Sequence, residues 1–356
     1  EKFVTTPLQH PDSSNFKLIA LQILQDLTTH NTDSRNLGGL VEVELERLAY
    51  VKEQSILSQA EKDSLYSETL IALQKRYITD TSSSLVSYAL AQHYMELGNA
   101  YTKTNETHRW KLKEALAICK QAIAKYPDSE GALLCGNLVN IIERPSLNLQ
   151  TEQVLSPEKP ALVSVNAKNM TKLYLRLVKV PAAITYTIPG ADNDNRAYFL
   201  MQHEIFRSWQ QTLPNTGDYQ THSYEIAMEG APTGRYYLIA STDEAFDSSS
   251  IISYGEVQVS NLSYVARNLS NGGMDVLVLD RTTGQPVKAA GFTWYESTYD
   301  YNKRENVLIK GRSLKTTNEG RMLVDAADKY RNIELEITYK GDTLTSINSH
   351  YLYKRY

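Results

Sequence analysis

The sequence predicts a multidomain chain of α and all-β parts: an N-terminal α-helical domain followed by two antiparallel β-sandwiches. Three observations predict it. Apolar residues recur at helical spacing from about residue 14 to 143, and past Arg144–Pro145 the period changes to two. The second half then breaks at turn signals often enough for about seven short strands per hundred residues. At 356 residues the chain is long enough for two or three such domains, each burying its own core. The boundaries fall at 1–145, 146–260 and 261–356.

The totals exclude several classes of function. With 37 basic and 41 acidic residues, the net charge of −4 gives no electrostatic reason to expect nucleic acid or an anionic membrane as partner. No apolar run is long enough to span a bilayer. Two cysteines are too few for a disulfide-stapled scaffold. The 24 tyrosines against 6 phenylalanines suit half-buried β surfaces whose outer ends stay wet. The chain opens EKFVTT, without an initiator Met or a signal-peptide pattern, which reads as a trimmed or mature segment.

In the helical half, Phe16, Ile19, Ile23 and Leu27 form one stripe, and Leu40, Val43, Leu48 and Val51 lie along the next segment. Further helices are expected at about 60–78, 84–101, 109–126 and 129–143. HNTDSRN (30–36) and ITDTSSS (78–84) are among the turns between them. Tyr94, Leu97, Gly98 and Tyr101, then Ala115, Cys119, Ala122 and Pro127, follow the spacing of the two helices of a tetratricopeptide repeat. KTNETHR (103–109) inserts residues that pattern lacks, and SEGALLCGNLVN (129–140) puts its Gly one position early. The half therefore resembles one and a half degenerate repeats. A packing unit and a peptide-binding stub both fit, and the packing unit is the reading adopted.

IERPSLNLQTEQVLSPEKP (142–160) carries three prolines and reads as linker and first strand, expected to be cut first in limited proteolysis. Val163, Val165 and Ala167 then alternate with polar neighbours; Leu173, Leu175 and Leu177 do the same, with Tyr174 and Arg176 facing out. YEIAMEGAPTGRYYLIAS (224–241) reads as a hairpin turning at Pro232–Gly234. IELEITYKGDT (333–343) puts Ile333, Leu335, Ile337 and Tyr339 on one face. No helix is needed after residue 150. Each stretch reads as a seven-stranded sandwich, with the boundary near Val259–Asn261.

VLVLDRTTGQPVKAAGFTWYE (276–296) shows the style. VLVLD is apolar on both faces, as in the middle of a sheet. RTTGQP is the turn, where Gly284 can take positive φ and Pro286 rules out ladder pairing. Ala290, Phe292 and Trp294 return at period two, and LKTTNEGRMLV (314–324) makes a second hairpin around Asn318–Gly320. By residue type alone this is structural hairpin chemistry.

A strand, then Asp280, Thr283, Gly284, Pro286, Val287 and Ala290, and later Thr317, Asn318 and Gly320, resemble the macroglobulin domains of bacterial α2-macroglobulin-like proteins. VSVNAKNMTKLYLRLVKV (163–180) is similar to that family's first such domain, and APTGRYYLIAS (231–241) to its closing hairpin. The resemblance covers about 150–356 and implies Ig-like or fibronectin-like sandwiches. It further implies a secreted or periplasmic, extracytoplasmic protein, possessing elsewhere a protease-cleaved bait and a Cys–Gln thioester within C-x-E-Q. Cys119-Lys120-Gln121 does not match that motif and lies in a helix.

Sites for chemistry are not found. HEIF (203–206) lacks the second His of a zinc helix, and no nucleophile elbow, dinucleotide fingerprint or P-loop occurs. His93 with Glu96 reads as a surface pair. Asp192 and Asp194 in PGADNDNR read as a solvated loop, since the spaced Gly and terminal Glu of a Ca²⁺ site are missing. The sequence therefore offers no catalytic, cofactor-binding or metal-ligating residues, and the expectation is a chain that is not an enzyme. Cys119 and Cys135, equidistant from Pro127, fit either a disulfide or two buried thiols, the second being preferred.

The functional expectation is a non-catalytic N-terminal segment of an α2-macroglobulin-like endopeptidase inhibitor. Its partners would be downstream domains of the same chain and, through the whole protein, target endopeptidases. Two alternatives stay open: a surface module capturing peptide or glycan, with an aromatic groove around WYESTYDY (294–301), and an accessory part of a hydrolase.

Overall fold

Four of the described helices start on residues whose side chains cap them. The computed structural model describes residues 2–9, 15–188, 193–247, 249–301, 305–326 and 330–353. After one turn, α1 (Lys2–Thr5), come α2 (Phe16–Asp33), α3 (Leu37–Gln54), α4 (Gln59–Arg76), α5 (Ser83–Asn99), α6 (Lys111–Lys125) and α7 (Glu130–Glu143). Asn15, Asn36 and Ser129 each accept a backbone N–H of the first turn, at 3.2 Å. Ser58 and Glu61 form a reciprocal capping box on α4. These helices, with Thr216–Gln220, make the first of two units; Pro145–Asn215 with Thr221–Tyr356 make the second.

In the first unit α5 is the hub, packed against α3, α4, α6 and α7. Its core is Val41, Leu70, Leu73, Val86, Leu90, Ala91, Leu112, Ala115, Leu116 and the two cysteines. Gly131 lets α7 approach closely, since a Cβ there would stand 2.2 Å from the Ser84 carbonyl carbon. Asp218 is fully buried and accepts from Arg109 Nε at 2.9 Å. The Gln220 amide donates to the Gly98 and Arg109 carbonyls, satisfying an acceptor of the last turn of α5. The expected stripe on α2 is corrected: Phe16, at 82 % exposure, and Ile23 and Leu27 lie outside, and α2 buries Thr28 and Asn31 instead. On α3 the buried residue is Val41 rather than its neighbours Leu40 and Val43.

The second unit begins with β1 (Ser146–Gln150), β2 (Val154–Leu155), β3 (Ala161–Lys168) and β4 (Lys172–Val180). A helix, α8 (Asn193–Leu200), precedes β5 (Glu204–Thr212), β6 (His222–Met228), β7 (Gly234–Ser241) and β8 (Ile252–Val259). One sheet runs β1-β3-β6, the other β2-β8-β7-β4-β5. Then follow β9 (Leu262–Asn268), β10 (Met274–Asp280), β11 (Gly291–Asp300), β12 (Glu305–Lys315), β13 (Arg321–Val324), β14 (Arg331–Tyr339), β15 (Asp342–Thr345) and β16 (His350–Leu352). They form sheets β13-β10-β9 and β12-β11-β14-β15, with β16 also on β14.

The alternation is as expected: Val163, Val165, Ala167, Leu173, Leu175, Leu177, Ile333, Leu335 and Ile337 are all buried. The pairings are not. β6 pairs β3 while β7 pairs β4 and β8, so 224–241 crosses between sheets and is no hairpin. In 276–296 a short antiparallel bridge, Leu279 to Pro286, closes the turn, but β11 then pairs β12 in the facing sheet; in 314–324, β13 pairs β10 while β12 stays with β11. Strands carrying one apolar face each bury it by turning toward one another, which ladder pairing would not do. Among the described residues each stretch holds eight strands rather than seven, and β2 runs parallel to β8. Residues 144–160, read as linker, supply β1 and β2, with Leu149 and Leu155 buried.

A helix after residue 150 was not expected. β4 and β7 are apolar on both faces at one end, and Val178, Tyr237 and Ile239 bury there against Leu200 of α8 and Phe246. Between the two stretches, Gln258 stands in for a peptide group: its Oε1 accepts from Thr345 N at 2.9 Å and its Nε2 donates to Thr345 O at 3.3 Å. Asp342 Oδ2 accepts from Asn261 N at 2.8 Å and Ser260 Oγ at 3.1 Å.

The two turns singled out in the sequence meet. Asp280 Oδ1 accepts from the Thr283 and Thr282 amides and the Thr283 hydroxyl, closing the first turn around Gly284 at φ +69°. Pro286 bridges Leu279 without donating, since Asp280 N bonds Gln285 O and Val287 N bonds Val278 O on either side of it. Gly320, at φ +70°, donates no side chain to this junction: a Cβ would stand 2.7 Å from Val278 O and 2.9 Å from Pro286 Cβ. Gly284 has nothing within 4 Å of the same position. Gly284→Ala should therefore cost about 1–2 kcal/mol for left-handed backbone alone. Gly320→Ala should cost about 3 kcal/mol or more, adding steric overlap. Native-state hydrogen exchange of β10 amides measures both; equal costs would discount the contact.

Candidate functional site

The most developed polar site lies where α3, α4 and α5 meet. His93 of α5, 2 % exposed, is enclosed by charged neighbours. Its Nδ1 is 3.2 Å from Lys52 Nζ, and an ammonium can only donate, so Nδ1 is the acceptor. The proton consequently sits on Nε2, which faces Asp63 O at 3.2 Å and Ser67 Oγ at 3.1 Å. Lys52 also pairs with Asp63 Oδ1 at 3.2 Å, lies 3.9 Å from Glu96 and stands over the Tyr66 ring. Burial, followed by the Lys52 charge, pushes the imidazole below its ordinary value. Despite burial, hydrogen bonds from Gln59 and Lys52 hold the Asp63 carboxyl below the usual carboxylate range. A cleft of about 490 Å³ opens over this cluster, lined by Gln59, Lys62, Gln92 and Glu96 among others. The surface-pair reading of His93 and Glu96 is corrected: Glu96 is exposed, but His93 is interior and its main partners are on α3 and α4.

Lys52, Asp63 and Ser67 were missed because nothing in linear sequence links them to His93; only the helix packing does. The residues of the repeat-like pattern are packing residues here. Tyr94, Ala115, Cys119 and Ala122 are buried, Gly98 lies against Leu112, and Tyr126–Pro127 follows the end of α6. Cys119 and Cys135 come together as buried free thiols. The hydrogen bond to Cys135, together with burial, pushes the Cys119 thiol far up.

Elsewhere, His203 of HEIF bonds Tyr186 and the Phe199 carbonyl. Asp192 and the side chain of Asp194 lie outside the described residues. Along WYESTYDY, Trp294 covers Gly311, and Tyr295 is buried with its hydroxyl toward Glu336; Tyr299 and Tyr301 make an exposed edge-to-face pair. Trp294 and Tyr295 thus have different surroundings, while Tyr299 and Tyr301 contact each other at the end of β11. Among the described residues, no three His, Cys, Asp or Glu side chains converge as a metal-ligand set.

No family model matches the chain, and no curated protein matches it in sequence. Among solved structures it is similar to native α2-macroglobulin from Escherichia coli spanning domains MG0-NIE-MG1, at 14 % identity and TM-score 0.39, over 57 % of this chain and 64 % of that one. It is similar to Salmonella α2-macroglobulin reacted with methylamine at 11 % identity and TM-score 0.25, over 59 % and 17 %. A chicken CNTN1 structure spanning FN1–FN3 gives 10 % and 0.19, over 60 % and 68 %. The chain spans less than two thirds of either macroglobulin structure.

The His93 cluster carries a pH signature. The folded value lies below the ordinary 6.5, so stability is complete above that pH and declines as pH falls through it. The limiting slope is about 1.4 kcal/mol per pH unit. Hydrogen exchange of α5 amides between neutral and mildly acid pH reads it, and His93→Gln should flatten the profile; an unchanged slope would count against a neutral buried His93. For the cysteines, thiol titration should find two free groups in denaturant under non-reducing conditions, both slow to react in the native chain. A missing pair of thiols would indicate a disulfide.

Proposed function

We propose that this chain is a non-catalytic, frame-forming segment of an α2-macroglobulin-like endopeptidase inhibitor acting outside the cytoplasm. Its partners are other domains of the same protein, with endopeptidases reached only through the whole. One observation carries the reading. The residues that resemble the family's macroglobulin domains are spent on one another: Asp280, Thr283 and Gly284 close a turn, and Pro286 and Val287 pack under Gly320. Thr316 Oγ1 then ties Val287 O to Ala290 N, next to the Thr317–Gly320 turn. Such a junction fixes how two sheets cross and leaves no reactive group pointing outward, which suits a frame. The buried Gln258 and Asp342 contacts add stiffness of the same kind.

No described helix is long and apolar enough to cross a membrane. A frame on its own should be inert. The 356-residue chain, tested against several endopeptidases, should neither be inhibitory at stoichiometric concentration nor incorporate methylamine. Inhibition or amine incorporation would overturn the frame-only reading. The family reading also requires the full-length protein to reduce cleavage of a protein substrate by an endopeptidase, and no reduction would remove it.

A further inference from the structure

A second opening lies beside the His93 cleft, along the seam of α3 and α4, and its lining differs in kind. Leu48 and Val51 of α3 face Leu65 and Tyr66 of α4, and Leu57 of the connecting turn closes one end. The hollow is about 100 Å³, room for one aliphatic side chain. Its walls stay open to solvent: Val51 is 45 % exposed, Leu57 42 % and Leu65 51 %. Only two charged residues line it, Lys52 and Lys62, and no acid does.

The two lysines are not equivalent. Lys52 is engaged by Asp63, His93 and the Tyr66 ring. Lys62, half-buried at the rim, makes no ion pair among the described residues. A partly desolvated ammonium beside an apolar hollow gains most from a carboxylate brought in with an apolar group. Lys62 also lines the larger cleft, whose lining includes Glu53 and Glu96, the latter 3.9 Å from Lys52, and where the exposed Gln92 offers an amide that can both donate to and accept from a peptide backbone. Apolar hollow, unpaired cation and free amide thus follow one another along a continuous surface.

We propose that the α3–α4 seam is a peptide-binding groove for a segment that places an aliphatic side chain a few residues from an Asp or Glu. The aliphatic group fills the hollow between Val51 and Leu65, the carboxylate meets Lys62, and the backbone runs over the cleft toward Gln92. A lysine without an ion pair among the described residues and a hollow for a single side chain suit an extended peptide. A membrane surface would call for a cluster of basic residues, which the seam does not have.

The test is to pan a displayed random octapeptide library against the full chain, then measure synthetic fluorescein-labelled winners by anisotropy. Enrichment of peptides pairing Leu, Ile, Val or Met with Asp or Glu is expected. Binding should weaken at least tenfold with Lys62→Glu and with Leu65→Asp, and persist with Lys62→Arg. Leu65 is exposed and Lys62 sits half-buried at the rim, and an unchanged far-UV circular dichroism spectrum confirms the fold of each variant. Winners with Lys in place of their acidic residues should not bind. No enrichment, binding indifferent to both variants, or equal binding of the Lys-substituted peptides would each overturn the proposal. So would a concentration-dependent dimer that Leu65→Asp abolishes, since the seam would then be covered by a second copy.

Discussion

A strand apolar on alternate residues cannot bury that face within its own sheet, and most of the second unit follows from this. Once Leu173, Leu175 and Leu177 face in, another sheet must supply Val163, Val165 and Ile226 opposite them. Chain neighbours such as β3 and β4 therefore separate into facing sheets, and their connections become crossings. Crossings need tight, specific backbone, and at one of them Gly320 combines positive φ with a crowded Cβ position. Where β4 and β7 are apolar on both faces, the same requirement recruits α8 and Phe246 as a further cover.

Several of the buried polar groups follow a different rule, that a desolvated group is stable only with a partner. Gln258 satisfies Thr345 as a neighbouring strand would. Arg235 forks onto Glu256, at 2.8 and 3.0 Å, and the Tyr237 hydroxyl adds a third bond to that carboxylate. In the first unit Lys52, Asp63 and Ser67 do the same for His93. Histidine is the one member of that set whose charge changes near neutrality, so its environment rather than its presence decides its behaviour.

How much of this was legible in the sequence varies with the range of the interaction. Helical apolar spacing from about residue 14 to 143, the turns at 30–36 and 78–84, and alternation at Ile333–Ile337 are local signals, and they located helices and strands well. Pairing was not legible: residues 224–241 and 314–324 have the pattern of hairpins, yet their strands join different sheets. Period two reports which side chains are buried, not which strand lies alongside. Phe16, Ile23 and Leu27 misled for a related reason, since helical spacing describes a stripe without saying that anything covers it. α8 was hidden because its need arises from the far side of GRYYLIAS. The His93 cleft was invisible for want of any motif joining residues 52, 63, 67 and 93.

The contact between the two turns has a consequence for how such chains diverge. Position 320 admits glycine without strain and crowds any side chain, because Pro286 and the Val278 carbonyl lie directly beneath it. A bulkier residue at one position therefore demands a compensating shift at the other, about thirty residues away in sequence. Selection acts on the pair, so the two turns should drift together through a lineage while the strands between them change freely. A search that weighs positions singly would see two short, commonplace turns; one that weighs correlated positions would see a single conserved joint.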